Sequence, residues 1–428
     1  MVGIMFLVFG ICLAISMPII SALGISALWP ALMNATGATQ PEAVIRAIFG
    51  GADSIAILAV PLFILAGVLM ARGGISKKIF DVFAYFIGKR TAGMPCAAII
   101  TCLFYGAISG SGPATAAAVG AMTIPVLVEL GYNKVFCGAM IATAGSLGVI
   151  IPPSIPFVLY GLATGASVGQ LFIAGIIPGI MIGVFLMAYA YYYCRTKGED
   201  KEKIAENHRQ LKERGFLHLF KDSFWALLSP VIILGGIYSG FTTPTEAACI
   251  SVFYSLFVSM FIYKTIKPGQ IWNLILSSVR GYAPLCFILA LANAFGRVLT
   301  LLRAPQQISV MISENFNSSW SILLVMTLLF FLLGMVMDTG PAIVIMAPIL
   351  MPTLEYYNIS PIHFGVMMVA NLAIGLVTPP FGLNLFVVSP MIGTPVMTLG
   401  RKAVPFIAVF LVALLIITFV PAVSLLLV

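Results

Sequence analysis

The chain has 428 residues, 61% of them hydrophobic and only 8% charged, with a formal net charge of +8. A soluble domain carries roughly 25% charged residues, so this composition excludes a soluble globular protein and identifies an integral membrane protein. The basic residues lie at helix ends and in loops, as membrane topology requires. They do not form a nucleic-acid surface.

The first apolar run, Val2 to about Leu32, has neither a basic leader nor a cleavage site, and reads as one retained transmembrane helix over 3–32. Apolar segments follow at 54–72 and 80–88, the latter short. Segments 95–108 and 114–129 flank an interruption at Ser109-Gly110-Ser111-Gly112-Pro113. Segment 135–150 leads into a second one, Ile151-Pro152-Pro153-Ser154, followed by helices at 157–164 and 170–194. From Val135 to Cys194 there is no Asp, Glu, Lys or Arg. That is far more than the roughly 20 residues of one crossing. The apolar runs are continuous and do not alternate, which argues against a β-barrel.

Arg195 to Asp222 is the one clearly soluble stretch. Lys197, Lys201, Lys203, Arg209, Lys212, Arg214 and Lys221 interleave there with Glu199, Asp200, Glu202, Glu206 and Glu213. It reads as a cytoplasmic amphipathic linker between two halves. Helices are then expected at 223–240, 247–265 and 271–302, with a short segment at 306–314 and a helix at 319–337. The third interruption is Asp338-Thr339-Gly340-Pro341, before 342–354 and 361–376. The fourth spans 377–382 and contains Val377-Thr378-Pro379-Pro380. Helix 383–392 and a terminal helix over 398–427 end the chain.

The two halves look like one object built twice: Pro113 precedes Pro152 by 39 positions, and Pro341 precedes Pro379 by 38. Gly-Pro and Pro-Pro leave backbone groups unpaired, which a bilayer tolerates only where they are buried in protein or line a cavity. Paired interruptions in two halves are the mark of a transporter's binding site. The expected fold is an all-α polytopic membrane protein of two inverted repeats with re-entrant hairpins and discontinuous helices. The first repeat covers 1–194, with scaffold helices 1–90, transport core 91–165 and connecting helix 170–194. The linker is 195–222. The second repeat covers 223–428, with scaffold helices 223–316, transport core 317–395 and terminal helix 398–427.

Serine hydroxyls and unwound carbonyls at Ser109-Gly110-Ser111-Gly112 suit a weakly held monovalent cation such as Na⁺. The absence of a nearby carboxylate argues against a Ca²⁺ or Mg²⁺ site. Asp338, Thr339 and Gly340, with Thr378, offer a second oxygen set carrying one negative charge. An acid at membrane depth is costly and is by default functional. The competing reading is that these hydroxyls only satisfy broken backbone. Glu246, in Thr243-Pro244-Thr245-Glu246, is either another working acid or a helix-start carboxylate beside the dipole. Arg297 and Arg303 end an apolar helix, where a guanidinium either forks a carboxylate or snorkels to the interface.

Seven cysteines stand singly, with no CxxC pair, and read as packing residues. The three histidines make no metal spacing, and there is no nucleotide-binding loop. No enzyme chemistry and no organic cofactor are expected.

At the interruptions the chain resembles the large membrane subunit of tripartite ATP-independent periplasmic (TRAP) transporters. The similar stretches are Leu58-Ala59-Val60-Pro61-Leu62-Phe63-Ile64-Leu65-Ala66-Gly67, Ala107-Ile108-Ser109-Gly110-Ser111-Gly112 and Ile150-Ile151-Pro152-Pro153-Ser154-Ile155. Others are Leu171-Phe172-Ile173-Ala174-Gly175-Ile176-Ile177-Pro178-Gly179, Phe241-Thr242-Thr243-Pro244-Thr245-Glu246-Ala247 and Thr378-Pro379-Pro380-Phe381-Gly382-Leu383-Asn384-Leu385. The resemblance implies an elevator-type carrier in which a core moves against a scaffold, with Na⁺ as coupling ion. It implies one cation site around Ser109, Gly110, Ser111, Gly145, Ser146 and Pro152. A second is implied around Gly334, Asp338, Thr339, Gly340, Thr378 and Pro379. Candidate substrate contacts are Ser154, Arg297 and Asn384, although Arg297 stands where an aromatic or neutral residue is expected. The implied partners are a periplasmic substrate-binding protein and a small four-helix membrane subunit, expected as a separate chain because the pattern starts almost at Met1. The implied location is the bacterial inner membrane, and the implied cargo an organic anion, either a sialic acid-like sugar acid or a C4-dicarboxylate. The alternatives are a stand-alone Na⁺/dicarboxylate symporter of the same superfamily and an anion channel.

Overall fold

The computed structural model describes residues 1–33, 40–53, 55–316 and 318–428. Among them the protein is all-helical, with no strand. The first half comprises α1 (Val2–Ala14), α2 (Ile19–Leu32), α3 (Pro41–Ala52), α4 (Ala59–Arg72), α5 (Ile75–Ile87), α6 (Gly93–Ser109), α7 (Gly112–Glu129), α8 (Lys134–Gly145), α9 (Ile155–Thr164) and α10 (Val168–Lys197). The linker forms α11 (Lys201–Glu213). The second half comprises α12 (Phe216–Tyr238), α13 (Pro244–Phe257), α14 (Ile271–Leu301), α15 (Ala304–Asn315), α16 (Ser319–Gly334), α17 (Thr339–Tyr356), α18 (Pro361–Gly375), α19 (Leu383–Ile392), α20 (Val396–Phe419) and α21 (Pro421–Leu425). Among the described residues six helical stretches are long and apolar enough to cross a membrane, and α4 with α5, bent by 67°, would add a seventh.

Local chemistry sets these ends. The Asn133 side chain accepts from the amides of Val135 and Phe136 to start α8, and the Ser154 hydroxyl accepts from Phe157 to start α9. Such caps satisfy amides that a helix start leaves free. Pro113 and Pro244 stand at the openings of α7 and α13, where proline costs the helix nothing.

The expected single helix over 3–32 is corrected to two. Ser16 adopts a left-handed φ of +62°, and Pro18 supplies no amide, so the chain turns between α1 and α2. The terminal helix likewise stops at Phe419, before Pro421, and resumes as α21. Helix α3 was not anticipated: Glu42 and Arg46 interrupt its apolar run, yet Val44, Ala47 and Gly51 are buried, and the helix packs on α14. The segment expected at 80–88 starts earlier, at Ile75. Ser54 and Asn317, where two expected segments begin, lie outside the described residues.

The packing of one half recurs in the other. Helix α3 lies on α14 as α13 lies on α4, α9 lies on α17 as α19 lies on α7, and α8 lies on α20 as α18 lies on α10. Backbone-to-backbone crossings also recur. A Cβ at Gly106 would stand 2.7 Å from the Cα of Gly148, and one at Gly375 would stand 2.2 Å from the carbonyl carbon of Gly334. Only glycine permits these approaches.

The linker is fastened to the bundle. After α10 the chain turns at Gly198, and the carboxylate of Glu199 accepts from the Ala92 amide with both oxygens, at 3.0 and 3.1 Å. The same carboxylate accepts from the Tyr132 hydroxyl at 2.6 Å. Burial first, and then this bond, push the Tyr132 phenol well above its ordinary value. On α11, His208 and Leu211 are buried against the bundle while the charged face stays in solvent. At the far end, His363 of α18 bonds the Ser424 hydroxyl of α21 at 2.7 Å through Nδ1.

Candidate functional site

Two of the four breaks open into one cavity of about 740 Å³. Ser109, Gly110, Ser111 and Pro113 line it from the break between α6 and α7. Asp338, Thr339 and Gly340 line it from the break between α16 and α17. Ile155 and Pro156 add the start of α9, so the first turns of α7, α9 and α17 all border the same space. The remaining wall is largely Gly, Ala and aliphatic residues from α4, α7 and α14.

In register on the shared proline, Ser109-Gly110-Ser111-Gly112-Pro113 lies against Met337-Asp338-Thr339-Gly340-Pro341. The hydroxyl–glycine–proline part repeats, while Asp338 stands where Gly110 does. Gly110 takes a φ of +61° and its carbonyl accepts from the Ile155 amide at 3.3 Å, tying this break to the start of α9. Asp338 instead caps α17: Oδ1 accepts from the Thr339 amide at 2.7 Å and from the Thr339 hydroxyl at 3.3 Å. Its second carboxylate oxygen has no donor among the described residues.

Around Ser109 the oxygens are crowded. Its Oγ lies 2.8 Å from the Thr115 hydroxyl, which donates to the Ser111 carbonyl at 2.8 Å. Thr115 was missed in the sequence. Its only signal is a place one helical turn beyond Ser111, in the first turn of α7. The short 3₁₀ turn Ser146–Val149 lies directly over this turn. A Cβ at Gly148 would stand 2.3 Å from the Thr115 hydroxyl and 2.7 Å from the Ser111 carbonyl. Gly145 and Ser146 are likewise buried at the end of α8. A Cβ at Gly112 would stand 3.5 Å from both the Gly145 carbonyl oxygen and Asn384 Oδ1, so those two oxygens flank one glycine. Asn384 Oδ1 is buried with no partner among the described residues.

The structure thus brings Ser109, Gly110 and Ser111 to the end of α8, with Gly145 and Ser146 beside them. Pro152 stays in the buried break between α8 and α9, and the Pro152–Pro153 and Pro379–Pro380 bonds are both cis. The second set falls into two places. Asp338, Thr339 and Gly340 face the cavity. Gly334 and Thr378 lie at the Gly334–Gly375 crossing, where the Thr378 amide donates to the Gly375 carbonyl at 3.1 Å. The Thr378 hydroxyl is used by the Ile374 carbonyl at 2.8 Å. Pro379 packs on Gly400.

None of the three expected substrate contacts lines this cavity. Ser154 is fully buried and donates to the Val149 carbonyl at 2.5 Å. Asn384 is fully buried and ties α19 to α8. Arg297 lines a second cavity of about 400 Å³, with Asn293 and Thr300 on the same face of α14. Leu159 lines both cavities. Arg303 is exposed at the turn between α14 and α15. Glu246 is exposed and completes a capping box, its Oε2 accepting from the Thr243 amide at 2.8 Å, which is the helix-start role. Sequence reasoning also passed over Arg72, the one cation among the described residues that line the first cavity.

A bundle of apolar helices broken at paired points, whose broken ends border a cavity, defines a membrane transporter. The chain belongs to the family described as Tripartite ATP-independent periplasmic transporter, DctM component, which matches residues 5–423. It is therefore a multi-pass protein of the bacterial inner membrane. It is 41% identical, over 98% of its length, to the isethionate TRAP transporter permease protein DctMQ of Oleidesulfovibrio alaskensis, and spans 65% of that protein. It is 41% identical, over 88% of its length and 87% of the relative, to the C4-dicarboxylate TRAP transporter large permease protein DctM of Pseudomonas aeruginosa. In fold it is similar to MtrF of Neisseria gonorrhoeae, with a TM-score of 0.60 at 14% identity, covering 88% of this chain and 84% of that one.

Proposed function

We propose that this chain is the subunit through which a small organic anion crosses the inner membrane, driven by Na⁺. The observation that carries the reading is the convergence of the Ser109–Pro113 and Asp338–Gly340 breaks on one cavity. Three helix starts border that cavity, and helix starts present free amides and a positive dipole end to an anion. The Gly340 amide has no acceptor among the described residues. The hydroxyls of Ser109 and Thr115, the Gly145 carbonyl and the unpartnered Asn384 Oδ1 offer a cation neutral oxygens, and Asp338 adds one carboxylate. A Na⁺ at either place offsets the charge of an arriving anion, which couples the two.

Elevator motion fits the second cavity. Two spaces that share Leu159 as a wall suit a core of 91–165 and 317–395 moving against a scaffold of 1–90 and 223–316. The partners are a periplasmic binding protein that delivers the anion and a small membrane subunit. The anion is isethionate-like, a C4-dicarboxylate or a sugar acid such as sialic acid.

The test is uptake of labelled isethionate, succinate and sialic acid into proteoliposomes holding both membrane subunits, with binding protein added. Uptake should follow an inward Na⁺ gradient. Ser109→Ala and Asp338→Asn should each raise the Na⁺ concentration for half-maximal uptake, by about tenfold for loss of a charged ligand. Uptake by this chain alone would instead support a stand-alone symporter, and an ohmic current a channel.

A further inference from the structure

We propose that Arg72 is the group that pairs with the transported anion in the large cavity. The inference rests on the transport reading above and names the residue that recognises the cargo's charge.

Among the described residues lining the cavity, Arg72 is the only cation and Asp338 the only acid. An anion entering this largely apolar space meets the Asp338 carboxylate as a like charge. A cation lining the same space offsets that repulsion. A guanidinium presents a planar fork of donors that matches a carboxylate or a sulfonate through two parallel hydrogen bonds.

The alternative is that Arg72 serves its own helix, as the basic residue of the last turn of α4. Three carbonyls of that turn are already engaged. The Gly73 amide donates to the carbonyls of Leu69 and Met70, each at 3.1 Å, and the Gly74 amide to that of Ala71 at 3.4 Å. The Ser259 hydroxyl reaches the Leu69 carbonyl as well. Nor does Arg72 join any ion pair among the described residues. An exposed guanidinium that pairs with no carboxylate among the described residues, on the wall of a cavity with three helix starts, is placed to meet the anion.

Arg72 lies on α4 and shares no hydrogen bond with the Ser109 and Thr115 hydroxyls among the described residues. Its role is therefore separable from that of the cation ligands. The experiment measures binding of labelled isethionate and succinate to the purified membrane complex in nanodiscs, with Na⁺ titrated in parallel. Arg72→Gln should weaken both probes by about tenfold or more, the loss of a charge-assisted fork, while half-saturation by Na⁺ measured without anion stays within about twofold of the parent. Arg72→Lys should recover part of the loss. Competition by the neutral succinamide should be the same in parent and Arg72→Gln, which a merely structural role would not produce. An Arg72→Gln complex that binds both acids as the parent does overturns the assignment and leaves the transport reading standing. A parent complex that binds neither of these acids nor labelled sialic acid at any Na⁺ concentration overturns the transport reading itself.

Discussion

Asn384 Nδ2 donates to the Ala142 carbonyl at 2.9 Å and to the Ser146 hydroxyl at 3.2 Å. The start of α19 is thereby fixed on the end of α8, 242 positions earlier in the chain. One amide side chain joins the second-half break to the first-half cation candidates, and its Oδ1 is left buried with no partner among the described residues.

Asn384→Leu removes donor and oxygen together. It should destabilise the protein by about 1–3 kcal/mol, the cost of leaving buried acceptors unmade. Asn384→Asp keeps an oxygen and loses the donor. It should show a similar fall in melting temperature in detergent but retain the Na⁺ half-saturation of the parent. Equal Na⁺ responses in the two variants would show that Oδ1 faces no cation.

The glycine crossings predict a sharp contrast between two alanine substitutions. At Gly375 a new Cβ would meet Gly334 backbone at 2.2 Å, and backbone cannot swing aside. Gly375→Ala should cost about 3 kcal/mol or more, as severe overpacking does. Gly296, in mid-helix on α14, has nothing within 4 Å of the same position. Gly296→Ala should be neutral or stabilising by up to about 1 kcal/mol. Thermal unfolding of the purified variants separates the cases.

Docking of the linker should depend on pH through His208. Burial, then the nearby Lys212 and Lys89, hold its imidazole below the ordinary histidine value, against a smaller opposing effect of the Ala84 carbonyl. The undocked state therefore binds the proton more readily than the docked one. The stability this side chain contributes is complete above the ordinary histidine pKa of about 6.5 and is lost as pH falls below it. Hydrogen exchange of 201–213, corrected for intrinsic rates, should rise as pH is lowered through this range. His208→Phe should flatten that dependence.

Leu159 is buried and lines both cavities, so it stands in the barrier between them. Leu159→Ala should lower stability by about 2–5 kcal/mol. If the side chain separates the two spaces, the variant should also pass anion without Na⁺, seen as efflux of preloaded succinate in Na⁺-free buffer. A variant that loses stability but stays tight would place the barrier elsewhere.

The broken helices were legible because Gly-Pro and Pro-Pro carry their own signal, independent of what surrounds them. All four interruptions lie where those dipeptides stand, and Asp338 was marked by its depth in apolar sequence. Helix α3 was hidden because a 12-residue amphipathic helix looks like loop in a chain of long apolar runs. The turn at Ser16 was hidden because its signal is a single backbone angle. The cavity lining was the least legible. Arg72 and Arg297 each end or interrupt an apolar run in the same way, and only the packing of α4, α9, α14 and α17 assigns them to different spaces. Ser154 and Asn384 read as ligands because they sit at breaks, yet their hydrogen bonds are turned inward to hold those breaks in shape.

Glu199 has one further consequence. Its carboxylate gathers the turn before α6, the loop after α7 and the first residues of the linker at a single point. The hairpin that carries Ser109 and Ser111 is thus moored at its base to the charged linker helix α11. None of the seven cysteines lies between Gly198 and Asp222. A fluorophore or spin label placed on the exposed face of α11 therefore reports on the hairpin, and its distance to a label on α14 tests, from the aqueous side, the displacement that the elevator reading proposes.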